Sequence, residues 1–134
     1  MANNYLLDTS AWIEYFAGTA LGEKVKEVIE NGENSLATCI LSIAEISDKL
    51  SKENERFDKS FAFIKNKSKI FGLTLDACSE AGKLKSGRRA TKKDFSLADA
   101  IIYLTAKENS CKLITKDSDF ENMPNIELLR ESQK

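Results

Sequence analysis

The sequence predicts an α/β fold in which a parallel sheet lies between helices, a three-layer α/β/α sandwich. Short apolar runs of strand length alternate with longer segments of helical periodicity along the 134 residues. Acidic residues, Asp8, Glu45, Asp99 and Asp117, stand where those runs end or where helices begin.

Tyr5, Leu6 and Leu7 form an apolar run, a strand over 5–7, that ends at Asp8. Thr9 and Ser10 then open the amphipathic segment Ala11 to Phe16, a helix over 10–16, and a helix over 21–31 follows. Leu36 to Leu41 is a second apolar run with a strand over 35–39. Ser42 introduces a helix over 42–52 whose Ile43, Ile46 and Leu50 share one face, with Glu45 near its start. A helix over 56–66, a strand over 70–75 and a helix over 76–86 come next. The helix 96–108 carries Asp99 near its start and runs into the strand 112–115, which delivers Asp117. A short turn of helix near 118–121, Pro124 in the following turn and a strand over 126–129 complete the order. No repeat, low-complexity tract or Pro/Gly-rich linker interrupts it, so residues 1–134 read as one domain.

In a parallel sheet the crossover helices run antiparallel to the strands, so helix starts and strand ends share one edge. All four acids are expected at that edge, where open α/β sheets place their ligands. Each acid also has a plainer explanation. Asp8 with Thr9 and Ser10, and Asp117 before Phe120, suit helix N-caps, and Glu45 on a helix flank suits a solvated charge. Asp99 fits such an explanation least. Its helical neighbours Ile102, Tyr103 and Ala106 make its face apolar, and burying a lone carboxylate costs several kcal/mol. Carboxylates gathered in one crevice repel unless a cation neutralises them, so the pattern asks for a divalent metal.

The segments Tyr5-Leu6-Leu7-Asp8-Thr9-Ser10, Ser42-Ile43-Ala44-Glu45-Ile46, Ser96-Leu97-Ala98-Asp99-Ala100-Ile101-Ile102 and Leu113-Ile114-Thr115-Lys116-Asp117-Ser118-Asp119-Phe120 resemble those of PIN-domain ribonucleases, above all VapC-type toxins. The resemblance spans essentially the whole chain, in the family's order and spacing. It implies a PIN-like sheet of five strands in the order 3-2-1-4-5, with the first strand central. It also implies that Asp8, Glu45, Asp99 and Asp117 hold magnesium or manganese, with Thr115 and Ser10 supporting the site and Asp119 as an additional acid. Of Asp117 and Asp119, the former is expected to reach the metal because it lies nearer the strand end. VapC-type toxins bind an antitoxin through their early helices and commonly dimerise. A cognate antitoxin and a homodimer are therefore expected by resemblance.

Composition narrows the chemistry. The chain has no histidine, which removes Ser-His-Asp and Cys-His machinery and the usual zinc ligand sets. No Gly-rich phosphate loop ending in Lys-Ser or Lys-Thr occurs, and Cys39, Cys78 and Cys111 have no metal or redox spacing. No apolar stretch approaches the roughly 20 residues of a membrane helix and no signal peptide opens the chain, so a cytoplasmic protein is expected.

Net charge is −1, so any attraction to nucleic acid must be local. Lys83, Lys85, Arg88, Arg89, Lys92 and Lys93 form a basic stretch just before the Asp99 helix; Lys85, Arg88, Arg89, Lys92 and Lys93 are expected to hold RNA phosphates. The plainer explanation is a solvated helix end and loop. Trp12, Ile13, Tyr15 and Phe16 cannot all face one direction on a short helix, so Trp12, Tyr15 and Phe16 are expected to meet a partner, unless they cover the core against the helix 21–31.

The reading that joins these features is a magnesium- or manganese-dependent endoribonuclease of the PIN type, the toxin of a VapBC-type pair. One rival is a haloacid-dehalogenase-like phosphatase or a receiver-like phosphoacceptor. Ser10 stands where that phosphatase pattern wants a second Asp, and the receiver's paired acids after the first strand are missing. The other rival is a non-catalytic PIN-like module that binds RNA or protein, which would have no need of the acidic cluster.

Overall fold

Leu6 and Leu7 of the first strand are both fully buried, yet they enter different apolar clusters, because successive residues of a strand point to opposite faces. That strand therefore needs cover on both sides. In the computed structural model, which describes residues 3–131, it receives it. The elements run β1 (Asn3–Leu7), α1 (Thr9–Ala17), α2 (Ala20–Glu30), β2 (Asn34–Cys39), α3 (Ile40–Lys49), α4 (Asn54–Lys67), β3 (Lys69–Phe71), α5 (Leu75–Arg88), α6 (Leu97–Glu108), β4 (Lys112–Thr115), a 3-10 turn (Ser118–Phe120) and β5 (Ile126–Leu128). The sheet order is β3-β2-β1-β4-β5 and every neighbouring pair is parallel, with Leu6 beside Ala37 on one side and Leu113 on the other. The α/β/α sandwich with its central first strand is as expected.

Each face has its own core. Leu6 and Leu113 pack with Ala81, Phe95, Ala100, Ile102, Tyr103 and Ala106 beneath α5 and α6. Leu7 and Ile114 pack with Trp12, Val25, Ile46, Leu50 and Ile64 beneath α1 to α4. None of the helices among the described residues is long and apolar enough to cross a membrane.

Several boundaries differ from expectation for local reasons. The strand expected over 70–75 stops at Phe71, because this edge strand pairs only with Ala37–Cys39 and Thr74 already caps α5 by accepting from the Ala77 amide at 3.0 Å. Ile40 and Leu41 continue the second apolar run in sequence but open α3, which starts directly after β2 and places Glu45 in its second turn.

The direction of α5 places the basic stretch. The Thr74 hydroxyl at its start donates to the Glu108 carboxylate at the end of α6 (2.8 Å), while Arg88 at its other end donates to the Asp119 carbonyl at 2.9 Å and to the Glu121 carbonyl. Helix α5 is thus antiparallel to α6 and runs in the direction of the strands. Its basic end, not its start, reaches the edge that carries the acids.

Trp12 is also corrected. It is fully buried, its Nε1 donates to Thr38 Oγ1 at 3.1 Å, and it stacks on Phe16 and meets Phe63 edge-on, so it has no surface to offer a partner. Burying the indole leaves its N–H in need of an acceptor, and Thr38, itself hydrogen-bonded to Ser68 at 2.8 Å, supplies one. Tyr15 and Phe16 remain half-buried and, with Phe63, Arg56, Lys59 and Ser60, line a shallow groove of about 330 Å³.

Helix α2 lies close against α1 at one residue. A Cβ on Gly22 would fall 2.1 Å from the Glu14 carbonyl oxygen and 2.8 Å from its carbon, both rigid backbone. Gly22→Ala should therefore lower stability by at least the roughly 1–3 kcal/mol typical of overpacking, read as a fall in the urea midpoint at unchanged slope. An unchanged midpoint would show that the two helices separate at little cost.

Candidate active site

Asp8 follows the last residue of β1 and caps α1. Its backbone amide continues the ladder by donating to the Ile114 carbonyl at 3.1 Å, and its Oδ1 accepts from the Ala11 amide at 2.9 Å and the Ser10 hydroxyl at 2.7 Å. The capping explanation of this acid is therefore correct as far as it goes. The residue is nonetheless 6% exposed and lines a crevice of about 250 Å³ together with Thr9, Ser10, Ile13, Glu45, Lys49, Asp99, Ile102, Lys116 and Asp117. All four acids singled out in the sequence meet there, each carried by a different part of the chain.

Each is held by a hydrogen bond. Glu45 accepts from the Thr9 hydroxyl at 2.5 Å, a bond between residues 36 apart that leaves no local trace in the sequence. Asp99 is the third residue of α6 and half of a capping box: its Oδ2 accepts from the Ser96 amide at 2.8 Å, and Ser96 Oγ accepts from the Asp99 amide at 3.0 Å. The Ser-x-x-Asp spacing signals this box, so Asp99 has a structural task as well as a place in the crevice. Asp117 caps the 3-10 turn by accepting from the Asp119 amide at 2.8 Å, and its own amide donates to Thr115 Oγ1 at 3.0 Å. Ser10 Oγ lies 3.4 Å from Thr115 Oγ1 and accepts from the Lys116 amide at 3.1 Å, joining the ends of β1 and β4 beneath the acids.

Asp119 lies to one side. It does not line the crevice, but carboxylate oxygens of Asp99, Asp117 and Asp119 come within 4.8 Å of one another. Hard oxygen donors at such separations suit a divalent cation. The basic stretch lies beyond Asp119, with two of its members occupied: Arg88 holds the carbonyls of Asp119 and Glu121, and Arg89 donates to the Phe95 carbonyl at 2.9 Å. Lys49 and Lys116 also line the crevice, a role that no sequence motif assigns to them; Lys49 lies four residues after Glu45, a spacing that puts both on one helix face.

This arrangement has counterparts among known proteins. A family profile described as the PIN domain matches residues 5–126. The chain belongs to the PIN-domain family. Among curated relatives, the VapC ribonuclease Mb1587 of Mycobacterium bovis and ribonuclease VapC11 of Mycobacterium tuberculosis are each 25% identical over 123 residues, 90% of this chain and 92% of theirs. Among solved structures, a toxin-antitoxin complex from Klebsiella pneumoniae superposes with a TM-score of 0.76 at 23% identity, covering 96% of this chain and 99% of that one. The Mycobacterium tuberculosis toxin VapC20, described as cleaving the sarcin-ricin loop, superposes with a TM-score of 0.75 at 17% identity, covering 94% and 99%. These structural likenesses, at low identity, bear on the fold.

Electrostatics in this PIN-domain crevice oppose ionisation. Burial, helped by the charge of Asp99, pushes the Asp8 carboxyl up to about 6 from 3.8, against the hydrogen bonds of Thr115, Ser10 and Ala11. Asp99 is pushed up by burial and then by Asp117 and Glu45, against its bonds to Ser96. Asp119 is also raised, by burial first and then by Asp117 and Asp94, while Lys92 and Arg88 pull it down.

A folded-state pKa above the unfolded value means that the native protein binds the Asp8 proton more tightly. The native state then loses stability as pH rises from about 4 to about 6, by on the order of 3 kcal/mol, and the loss levels off above that. In EDTA, wild type minus Asp8→Asn should show this decline across urea titrations at pH 4 to 7. A difference that stays flat or rises with pH would mean that the buried carboxylate is not under charge stress.

Proposed function

We propose that the chain, as one PIN-like domain, is a metal-dependent endoribonuclease and the toxin of a VapBC-type pair, acting in the cytoplasm. The observation that carries the reading is the meeting of Asp8, Glu45, Asp99 and Asp117 in one crevice with Asp8 almost out of water. Such a cluster is unfavourable for the fold by itself and is well matched to a divalent ion. The names of the VapC relatives support ribonuclease activity.

In this reading Asp8, Glu45, Asp99 and Asp117, with Asp119 at the margin, hold magnesium or manganese; all offer oxygen, the donor these ions prefer. When bound, the metal supplies Lewis acidity toward water and the scissile phosphate. The chain's own residues preset the carboxylates: Thr9 fixes Glu45, Ser96 fixes Asp99, and Ser10 and Thr115 support Asp8. With no histidine in the chain and water as the nucleophile, hydrolysis is expected to leave 5′-phosphate and 3′-hydroxyl ends. Lys85, Lys92 and Lys93 hold flanking phosphates, whereas Arg88 and Arg89 serve chiefly to fix the loop around them.

A cognate antitoxin belongs to the same proposal. Its support is the toxin-antitoxin complex from Klebsiella pneumoniae and the VapBC2 complex of Rickettsia felis bound to a promoter DNA fragment, which superposes with a TM-score of 0.72 at 18% identity over 93% of this chain and 96% of that one. The half-buried rings of Tyr15 and Phe16 in their groove offer an apolar segment a place to dock. The exposed Leu73 and Leu75 are apolar surface that a homodimer would cover.

Purified protein should cleave total cellular RNA with manganese and not in EDTA, and the fragment ends should map as 5′-phosphates. Asp99→Asn should cut cleavage by roughly a hundredfold, the upper end of what disturbing even an outer ligand sphere costs. Its metal-free stability should equal or exceed that of wild type, since the amide oxygen still accepts from Ser96 without a charge, and manganese should raise its melting temperature less. Normal cleavage, or equal stabilisation by manganese, would remove Asp99 from the ligand set.

The basic stretch is tested separately. Replacing Lys85, Lys92 and Lys93 together by Ala should weaken RNA binding and flatten its salt dependence, by about 0.7 in log–log slope for each phosphate that is no longer neutralised, with the response to manganese unchanged. An unaltered slope would assign these lysines to solvent.

A further inference from the structure

We propose that Lys49 is a substrate contact, placing its ammonium on a phosphate of the RNA in the crevice; this rests on the endoribonuclease reading above. Two lysines line the crevice, Lys49 and Lys116. They are employed differently. Lys116 Nζ is paired with Glu14 Oε2 at 3.0 Å, and Glu14 is in turn held by the Thr19 hydroxyl at 2.8 Å. Those two bonds keep the Glu14 carboxyl below its ordinary value, so this pair is a strut between α1 and the segment after β4. Lys49 is exposed and its ammonium makes no hydrogen bond or ion pair among the described residues.

Its position gives that free charge a direction. Lys49 is in the last turn of α3, one helical turn beyond Glu45 on the same face, and lines the crevice together with the acids, the hydroxyls of Thr9 and Ser10, and the apolar Ile13 and Ile102. A phosphodiester that enters carries negative charge past Asp8, Glu45, Asp99 and Asp117. The four carboxylates carry more negative charge than a single divalent ion offsets, so the charge of the incoming phosphate calls for a further cation. Lysine suits the task, since its ammonium is a point charge with rotatable donors on a flexible stem and can follow the phosphate. The competing role is local: a cation in the last turn complements the helix dipole, which affects stability and not RNA.

The test uses the full chain with Lys49→Met and Lys49→Arg. Cleavage of a short single-stranded RNA is followed in single turnover across a manganese titration that ends at saturation. Binding of the same RNA is measured across a salt titration in the Asp99→Asn background, which keeps the RNA intact. Thermal unfolding is recorded with and without manganese. Lys49→Met should lose about tenfold in cleavage, as for a hydrogen bond to a charged group, and its binding should lose about 0.7 of log–log salt slope, with the manganese-induced shift unchanged. Lys49→Arg should recover most of both.

Unchanged cleavage and slope, with only a lower melting temperature, would overturn the proposal in favour of the helix-dipole role. A cleavage defect that disappears on raising manganese would overturn it by showing that Lys49 acts on the acids. Wild-type protein that neither binds nor cleaves RNA would bring down the endoribonuclease reading itself, and this inference with it.

Discussion

A carboxylate held almost out of water at the end of the central strand sets the terms for its surroundings. Asp8 cannot move toward solvent, because its backbone amide is bound to the Ile114 carbonyl and its Oδ1 caps α1. Its ionisation must be supported from within the structure. The start of α1 turns backbone N–H groups toward it, Ser10 donates a hydroxyl, and Thr115 supplies a second because β4 pairs with β1 in a register, Leu7 beside Ile114, that carries β4 one residue further to Thr115. The parallel order of the sheet is therefore part of the site's chemistry. An antiparallel β4 would bring its first residue, not Thr115 and Asp117, to this edge.

The sequence made some of this legible because the relevant signals are local. An apolar run followed by Asp-Thr-Ser marks a strand end and a helix start, and the same logic located Asp117 after Lys112–Thr115. Where the determining interaction is distant, the sequence was silent. The bond from Thr9 that fixes Glu45 joins two helices with no common motif. The extent of β3 depends on how much of β2 remains for it to pair with, which residues 70–75 do not encode. Trp12 looked surplus to one apolar stripe because a helical wheel allows a residue one direction, whereas α1 packs against α2, α3 and the ring of Phe63 at once. The capping box at Ser96 is encoded locally by its Ser-x-x-Asp spacing, alongside the apolar neighbours of Asp99.

The direction of α5 has a wider effect on how charge is distributed. A helix descending from β3 would have left its basic end at the far edge of the sheet. Because α5 instead ascends beside α6, the stretch from Lys83 to Lys93 arrives next to Asp119, where Arg88 and Lys92 moderate that acid's charge. Arg88 and Arg89 reach this place by binding backbone carbonyls, so they shape the loop that presents the lysines. Charge that reads in sequence as one patch divides in space into a structural part and a part free to meet phosphate.

Trp12 is the chain's single tryptophan, and it is sealed in the core on the α1 to α4 face, stacked on Phe16 with its indole N–H on Thr38. Intrinsic fluorescence of this protein is consequently a one-sided instrument. Emission should be blue-shifted in the native state and should report the loosening of that layer, while an opening confined to α5 and α6 would pass without a spectral change. The indole does not line the crevice, so the same emission follows the integrity of the layer that carries α1 and leaves the surface that must meet RNA free of any dye or engineered probe.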